Sequence, residues 1–242
     1  MKRLLILAAL GLCLPATSHA QVVLDKVYLT LDKSRKPLEN VNVLNDSDKD
    51  LAVKVEVVEV FNKSLPNESE ATTQDVRVSP SRFELAPRGE RLTRLIYTQP
   101  FGEKERIFRV RYTPTTDNLE AKPAVTDPNA KVTKLDVQVG MGLLLGVAPL
   151  EIKPDLVISR SAEGIRFTNK GNAHVMIRRT KHCPENGKYA GQCFDLPGSR
   201  VYPGESWLAE GFPTDLPVVY YQYVYGQETP LTIPPVATTS KR

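Results

Sequence analysis

Residues 132–147 read VTKLDVQVGMGLLLGV, and their period decides the fold. Leu135, Val137, Val139, Met141, Leu143, Leu145 and Val147 share one parity without a break. Asp136, Gln138, Gly140, Gly142, Leu144 and Gly146 take the other. Successive side chains alternate between faces in a strand, not in a helix. At roughly 3.3 Å per residue this strand exceeds about 20 Å, well beyond the usual length of about five or six residues. Two readings fit. One is an ordinary core strand; in the other, the C-terminal half fills its own core while the N-terminal half overhangs it.

The same period of two recurs upstream. Leu51, Val53, Val55 and Val57 alternate with Ala52, Lys54 and Glu56, and the parity slips at Val57-Val58 before Val60 and Phe61, as a bulge would make it. Further strands are expected over 22–31, 40–44, 82–85, 91–97 and 106–112. Turn signals at Asn45-Asp46-Ser47-Asp48, Leu65-Pro66-Asn67, Pro87-Arg88-Gly89 and Pro100-Phe101-Gly102 separate them. No long amphipathic helix is evident. Residues 113–131 are polar, carry Pro114, Pro123 and Pro128 and show no period, which marks a functional or mobile loop.

Downstream, Pro149 and Pro154 bracket an expected hinge, and short strands follow over 156–160, 164–168, 173–180, 206–209 and 218–225. The expectation is an all-β chain of two immunoglobulin-like β-sandwich domains joined by that hinge. Residues 21–150 form the N-terminal domain with the long strand, and residues 151–242 form a smaller C-terminal sandwich with a frayed tail from 234. A chain of 242 residues has room for both.

Residues 1–20 read as a cleavable export signal. Lys2 and Arg3 precede an apolar run from Leu4 to Leu14, and Ser18-His19-Ala20 supplies a small-x-small cleavage pattern before Gln21. The run is too short to span a bilayer, which takes about 20 residues. Leu12, just before Cys13, does not fit a lipoprotein signal. Removing the leader takes two bases and no acid, leaving 30 Lys and Arg against 28 Asp and Glu, a charge of +2. With acids and bases interspersed, there is no electrostatic case for nucleic acid or an anionic membrane. Export leaves Cys183 and Cys193 as an even pair in an oxidising compartment, where a disulfide is expected. The competing reading is a metal site built from His182, Cys183, Cys193 and His174, but scattered ligands make a poor site.

Enzyme signatures are missing. There is no G-x-S-x-G, H-E-x-x-H, phosphate loop or G-x-G-x-x-G, and only His174 and His182 survive leader removal. Glu56 with Glu59, and Asp46 with Asp48, read as solvated charges rather than paired catalytic carboxylates. A cofactor, a metal and ATP are not expected. A periplasmic hydrolase or sugar-binding module fits poorly, with Trp207 the sole tryptophan.

Several segments, in order, resemble the periplasmic pilus (fimbrial) chaperones, and their alpha-fimbria branch of CFA-type and cable pili in particular. They are Val78-Ser79-Pro80, Phe83-Glu84-Leu85, Pro87-Arg88-Gly89, Leu92-Thr93-Arg94-Leu95 and Phe108-Arg109-Val110-Arg111-Tyr112. The run ending at Pro149, Phe167-Thr168-Asn169-Lys170-Gly171-Asn172, Cys183 and Val201-Tyr202-Pro203-Gly204-Glu205-Ser206 complete the series. The resemblance implies a periplasmic protein that captures pilus subunits and a tip adhesin and delivers them to an outer-membrane usher. Capture would be by donor-strand complementation, in which an edge strand stands in for one the subunit lacks. It places Leu135, Val137 and Val139 at the donor positions, with Val132 and Met141 as extensions. A pilus structural subunit or adhesin is the alternative, but it would carry its donor segment near the mature N-terminus.

One departure concerns the partner's C-terminal carboxylate. The better-known branch holds it with an Arg in the first strand and a Lys in the long strand, and this sequence has Tyr28 and Leu144 at the corresponding places. A cation from elsewhere is expected. Arg109 and Arg94 are the first candidates, with Arg111 and Lys26 behind them. The alternative is that these bases form internal salt bridges or lie on a solvated face.

Overall fold

A computed structural model describes residues 21–34, 37–63, 68–115, 139–211 and 213–235. The expected export signal, most of the 113–131 loop, Val132, Leu135, Val137 and the end of the tail lie outside these residues. In chain order the first ten strands are β1 (Val22–Leu24), β2 (Tyr28–Leu31), β3 (Leu38–Asn45), β4 (Leu51–Phe61), β5 (Ser69–Thr72), β6 (Val76–Ser79), β7 (Arg82–Leu85), β8 (Glu90–Tyr97), β9 (Arg106–Thr115) and β10 (Met141–Val147). One sheet has the order β1-β3-β8-β6; the sheet facing it runs β2-β10-β9-β4-β5, with β7 also on β4. Alternate residues from both sheets, among them Val41, Val43, Leu95, Phe108, Val110, Leu143 and Leu145, fill the space between them. Tyr112 crosses that core to meet the Thr93 hydroxyl at 2.8 Å, and burial pushes its phenol up to about 12.

The second sandwich contains β11 (Leu156–Ser161), β12 (Gly164–Asn169), β13 (Val175–Ile177), β14 (Thr180–His182), β15 (Phe194–Leu196), β16 (Ser199–Val201), β17 (Ser206–Ala209), β18 (Val218–Val224) and β19 (Gln227–Ile233). A β11-β12-β17 sheet packs on a β16-β13-β18-β19 sheet, and β14 pairs with β15. Ile165, Phe167, Val175, Ile177, Val218 and Tyr220 form a separate core. The sulfurs of Cys183 and Cys193 are bonded, closing the loop between β14 and β15.

Three departures from the expected strands have physical causes. The 22–31 segment is two strands in opposite sheets, because the chain changes sheet at Asp25 and Lys26: Asp25 N–H donates to the Asn42 carbonyl, while Val27 C=O accepts from Leu144. The bulge at Val57-Val58 is absent, since β4 keeps an unbroken register with β9 from Ala52↔Thr115 to Val60↔Ile107. The parity slips because the far end of β4 buries its other face: Val60 and Ile107 are each 1% exposed and lie outside the first core. The 173–180 segment breaks into β13 and the start of β14, with Arg178 N–H bonded instead to the Tyr221 carbonyl.

Candidate functional site at an open strand edge and the domain junction

The site begins with β10. Its register with β9 runs from Met141↔Tyr112 to Val147↔Arg106, but β2 covers its other edge only from Leu144↔Tyr28 to Val147↔Leu31. Leu144 N–H donates to the Val27 carbonyl at 3.0 Å, the last such bond on that side. Before Leu144 the β10 edge has no strand beside it among the described residues. Burial follows the same gradient. Leu143, Leu145 and Val147 are sealed in the core, Met141 is half-buried against it, and Val139 is 41% exposed. Of the expected donor positions, Val139 and Met141 are therefore placed at the rim; Leu135, Val137 and Val132 lie outside the described residues.

The rim leads to the junction between the sandwiches, which Glu105 organises. It is 8% exposed. Its carboxylate accepts from His174 N–H at 2.7 Å and from the Tyr225 hydroxyl at 2.5 Å, and lies 2.6 Å from His174 Nδ1. Asn172 adds amide bonds to the Glu103 and Glu151 carbonyls, both at 2.8 Å, and accepts from Lys153 N–H. Burial, with the adjacent Glu105 charge, pushes the Tyr225 hydroxyl well above its ordinary value.

An aromatic and cationic cluster sits beside this knot. Tyr28, Tyr202 and Tyr225 surround His174 with ring centroids 6.3, 6.0 and 5.3 Å away. The Arg200 guanidinium, from β16, stacks 4.4 Å over the Tyr28 ring, and Lys63 Nζ, just past β4, is 5.8 Å from the centre of Tyr202. Burial pushes the hydroxyls of Tyr28 and Tyr202 up and the Lys63 ammonium down. Burial also acts against the Arg200 charge, but the Tyr202 hydrogen bond and nearby Tyr28 and Glu105 outweigh it and hold its pKa up. The Tyr28 hydroxyl and Arg200 Nε are enclosed without a hydrogen-bond partner of good geometry among the described residues. Gly146 makes room for Tyr28, whose hydroxyl lies 3.0 Å from where a Cβ would stand.

Tyr28 and Leu144 are direct cross-strand neighbours, with Arg109 next in line across β9. Arg109 donates to Glu68 at 2.8 Å and also binds Glu70, while Arg111 holds Glu70 at 2.6 Å. Arg94 is exposed, its Nε 3.4 Å from Asn40. Lys26 bonds the Asn40 carbonyl at 2.9 Å and reaches Glu39. These four expected bases thus have partners within the first sandwich and are not gathered at the junction cluster. Sequence reasoning passed over Arg200 and Lys63, because only the docking of the two sandwiches brings them to Tyr28 and Tyr202.

No protein-family model matches the chain, and no curated protein matches it. Solved structures do. The class 5 fimbriae chaperone CfaA superposes with a TM-score of 0.61 at 19% identity, covering 89% of this chain and all of that one. A chain of the chaperone–tip adhesin complex of CFA/I fimbriae biogenesis gives 0.60 at 17% identity, covering 90% and 100%. A chain of the Salmonella enterica SafA pilin–SafB chaperone complex gives 0.58 at 15% identity, covering 90% and 98%. Over nearly its whole described length, then, the chain has the two-sandwich fold of the fimbrial chaperones.

Proposed function

We propose that the protein is a periplasmic chaperone that captures pilus subunits by lending them the strand that precedes Met141. It has no catalytic role in this reading; its partners are subunits, a tip adhesin and an outer-membrane usher, and residues 1–20 direct it to the periplasm. The observation that carries the reading is the half-covered edge of β10, with its apolar parity leaving the core at Met141 and Val139. Continued upstream, that parity offers Leu135 and Val137 to a groove outside the molecule. Main-chain groups along the uncovered edge complete a partner's sheet, and the alternate side chains fill its core. The partner shields the edge in return.

The test is a double substitution, Leu135→Asp with Val137→Asp, in chaperone co-expressed with candidate subunits. Burying each side chain contributes about 1.5–3 kcal/mol, so capture should be lost while the chaperone's melting temperature stays within a degree or two of wild type. Unfolding of the variant would make the stretch core rather than donor. Self-polymerisation of the wild-type chain would instead make it a pilus subunit.

A further inference from the structure

Along β10 and the residue before it, Gly140, Gly142 and Gly146 share the parity opposite to the core residues Leu143, Leu145 and Val147. A Cβ on Gly140 would stand 3.0 Å from the Tyr112 carbonyl, and one on Gly146 would stand 3.0 Å from the Tyr28 hydroxyl. Both positions are crowded from within. Gly142 is not. A Cβ there would meet, among the described residues, nothing nearer than the Val110 carbonyl at 3.7 Å, an ordinary contact, and its φ is not positive. Glycine inside a strand weakens it, through chain entropy and the missing side chain. The protein's own packing gives no reason for glycine at 142, and such a glycine marks the place where something else approaches the backbone closely.

The surroundings say what approaches. Gly142 is exposed and lies in the part of β10 that has β9 on one side and, among the described residues, no strand on the other. On its face, half-buried Leu144 stands two residues on, and Arg111 is its partner across β9. A strand added to the open edge sets one of its own side chains beside Gly142 on that face, within reach of an aromatic ring. Arg111 is already held by Glu70, and Arg109 by Glu68 and Glu70, so the place calls for no charge. What it lacks is bulk. Bare main chain flanked by Leu144 and the Arg111 stem suits a flat apolar ring, and an aromatic side chain laid across a cross-strand glycine restores the packing and covers the backbone. We infer that Gly142 is a specificity-determining position: the strand that a subunit lays against β10 carries an aromatic side chain beside Gly142, with its ring over the bare backbone and against Leu144. This rests on the chaperone reading but concerns the other parity. Leu135, Val137 and Val139 are lent to the partner, whereas Gly142 receives a side chain from it.

The experiment measures capture of one co-expressed subunit by wild type, Gly142→Ala and Gly142→Thr, with melting temperatures in parallel. Both variants should fold, and Gly142→Ala should melt about 1–4 °C above wild type, because the strand gains a side chain it has room for. Capture by Gly142→Thr should nonetheless fall by about tenfold or more, equivalent to roughly 1.4 kcal/mol or more, with a smaller loss for Gly142→Ala. Subunit variants in which the aromatic residues of the captured strand are changed singly to alanine identify the occupant. One of them should lose capture by wild type to a similar extent and lose nothing further against Gly142→Thr. Undiminished capture by folded Gly142→Thr would overturn the inference and leave the chaperone reading standing. So would a subunit series in which no aromatic exchange lowers capture. Early melting of Gly142→Ala would show that the fold itself needs the glycine, and would overturn the inference as well. Failure of the wild type to capture any subunit would overturn the chaperone reading, and this inference with it.

Discussion

Glu105 is the residue on which the relation between the sandwiches turns. Its carboxylate satisfies a main-chain N–H, a hydroxyl and a ring nitrogen, all from the second sandwich, at 1% side-chain exposure. Glu105→Ala would bury unmet donors, at a cost of about 1–3 kcal/mol. The expected calorimetric outcome is a lower melting temperature with the two sandwiches unfolding in separate transitions; a single unshifted transition would remove Glu105 from the junction. Glu70 presents a different case. Its carboxyl is held below the usual range, first by the Arg111 hydrogen bond and then by Arg109. A lowered folded-state value means stability that is present above the unfolded carboxylate range and lost as the pH falls through the folded one. Wild type should therefore exceed Glu70→Gln in stability at neutral pH, by no more than about 1 kcal/mol for so accessible a pair. That margin should vanish in acid; a margin that grows on acidification would contradict the assignment. The resemblance singled out Tyr28 and Leu144 as the two corresponding positions, and the structure pairs them across β2 and β10. Lys63 and Arg200 were not singled out, because no local pattern reports which residues a rigid-body docking will bring together.

At the scale of elements, the strands that announce themselves are those with one buried face. β10 and the first half of β4 alternate because one side of each meets the core, and their parity was readable from the sequence. β5 was not seen, since all four of its residues are exposed and carry no apolar period. β19 escaped for a similar reason, with Pro230 in its middle and only its last residue buried. The split of 22–31 was hidden because both halves are apolar; only main-chain bonding distinguishes one long strand from two in facing sheets. The β14–β15 hairpin offers the prediction at this scale. It has three pairs in its ladder, and the Cys183–Cys193 bond closes a sequence separation of 10 at its end. Replacing both cysteines by serine should lower the stability of the second sandwich by about 2–3 kcal/mol in the chain-entropy model, with the proposed subunit capture retained. Loss of capture at a temperature where the variant is still folded would tie the hairpin to the binding site.

For the molecule as a whole, two cores with separate members meet, among the described residues, at a junction of polar contacts around Glu105 and Asn172 and of ring contacts between Tyr28 and His174. Such junctions tolerate relative motion more readily than greasy ones do. One feature of the outermost strand bears on how such a protein survives in company. A strand that invites pairing is a hazard to the molecule that carries it, because any second copy can answer the invitation. β19 forms the rim of the second sandwich, yet Pro230, opposite Tyr221 on β18, has no N–H to offer an incoming strand. At that rim a crowd of identical chains finds no continuous ladder to extend. This end of the molecule is thereby kept from seeding a fibre.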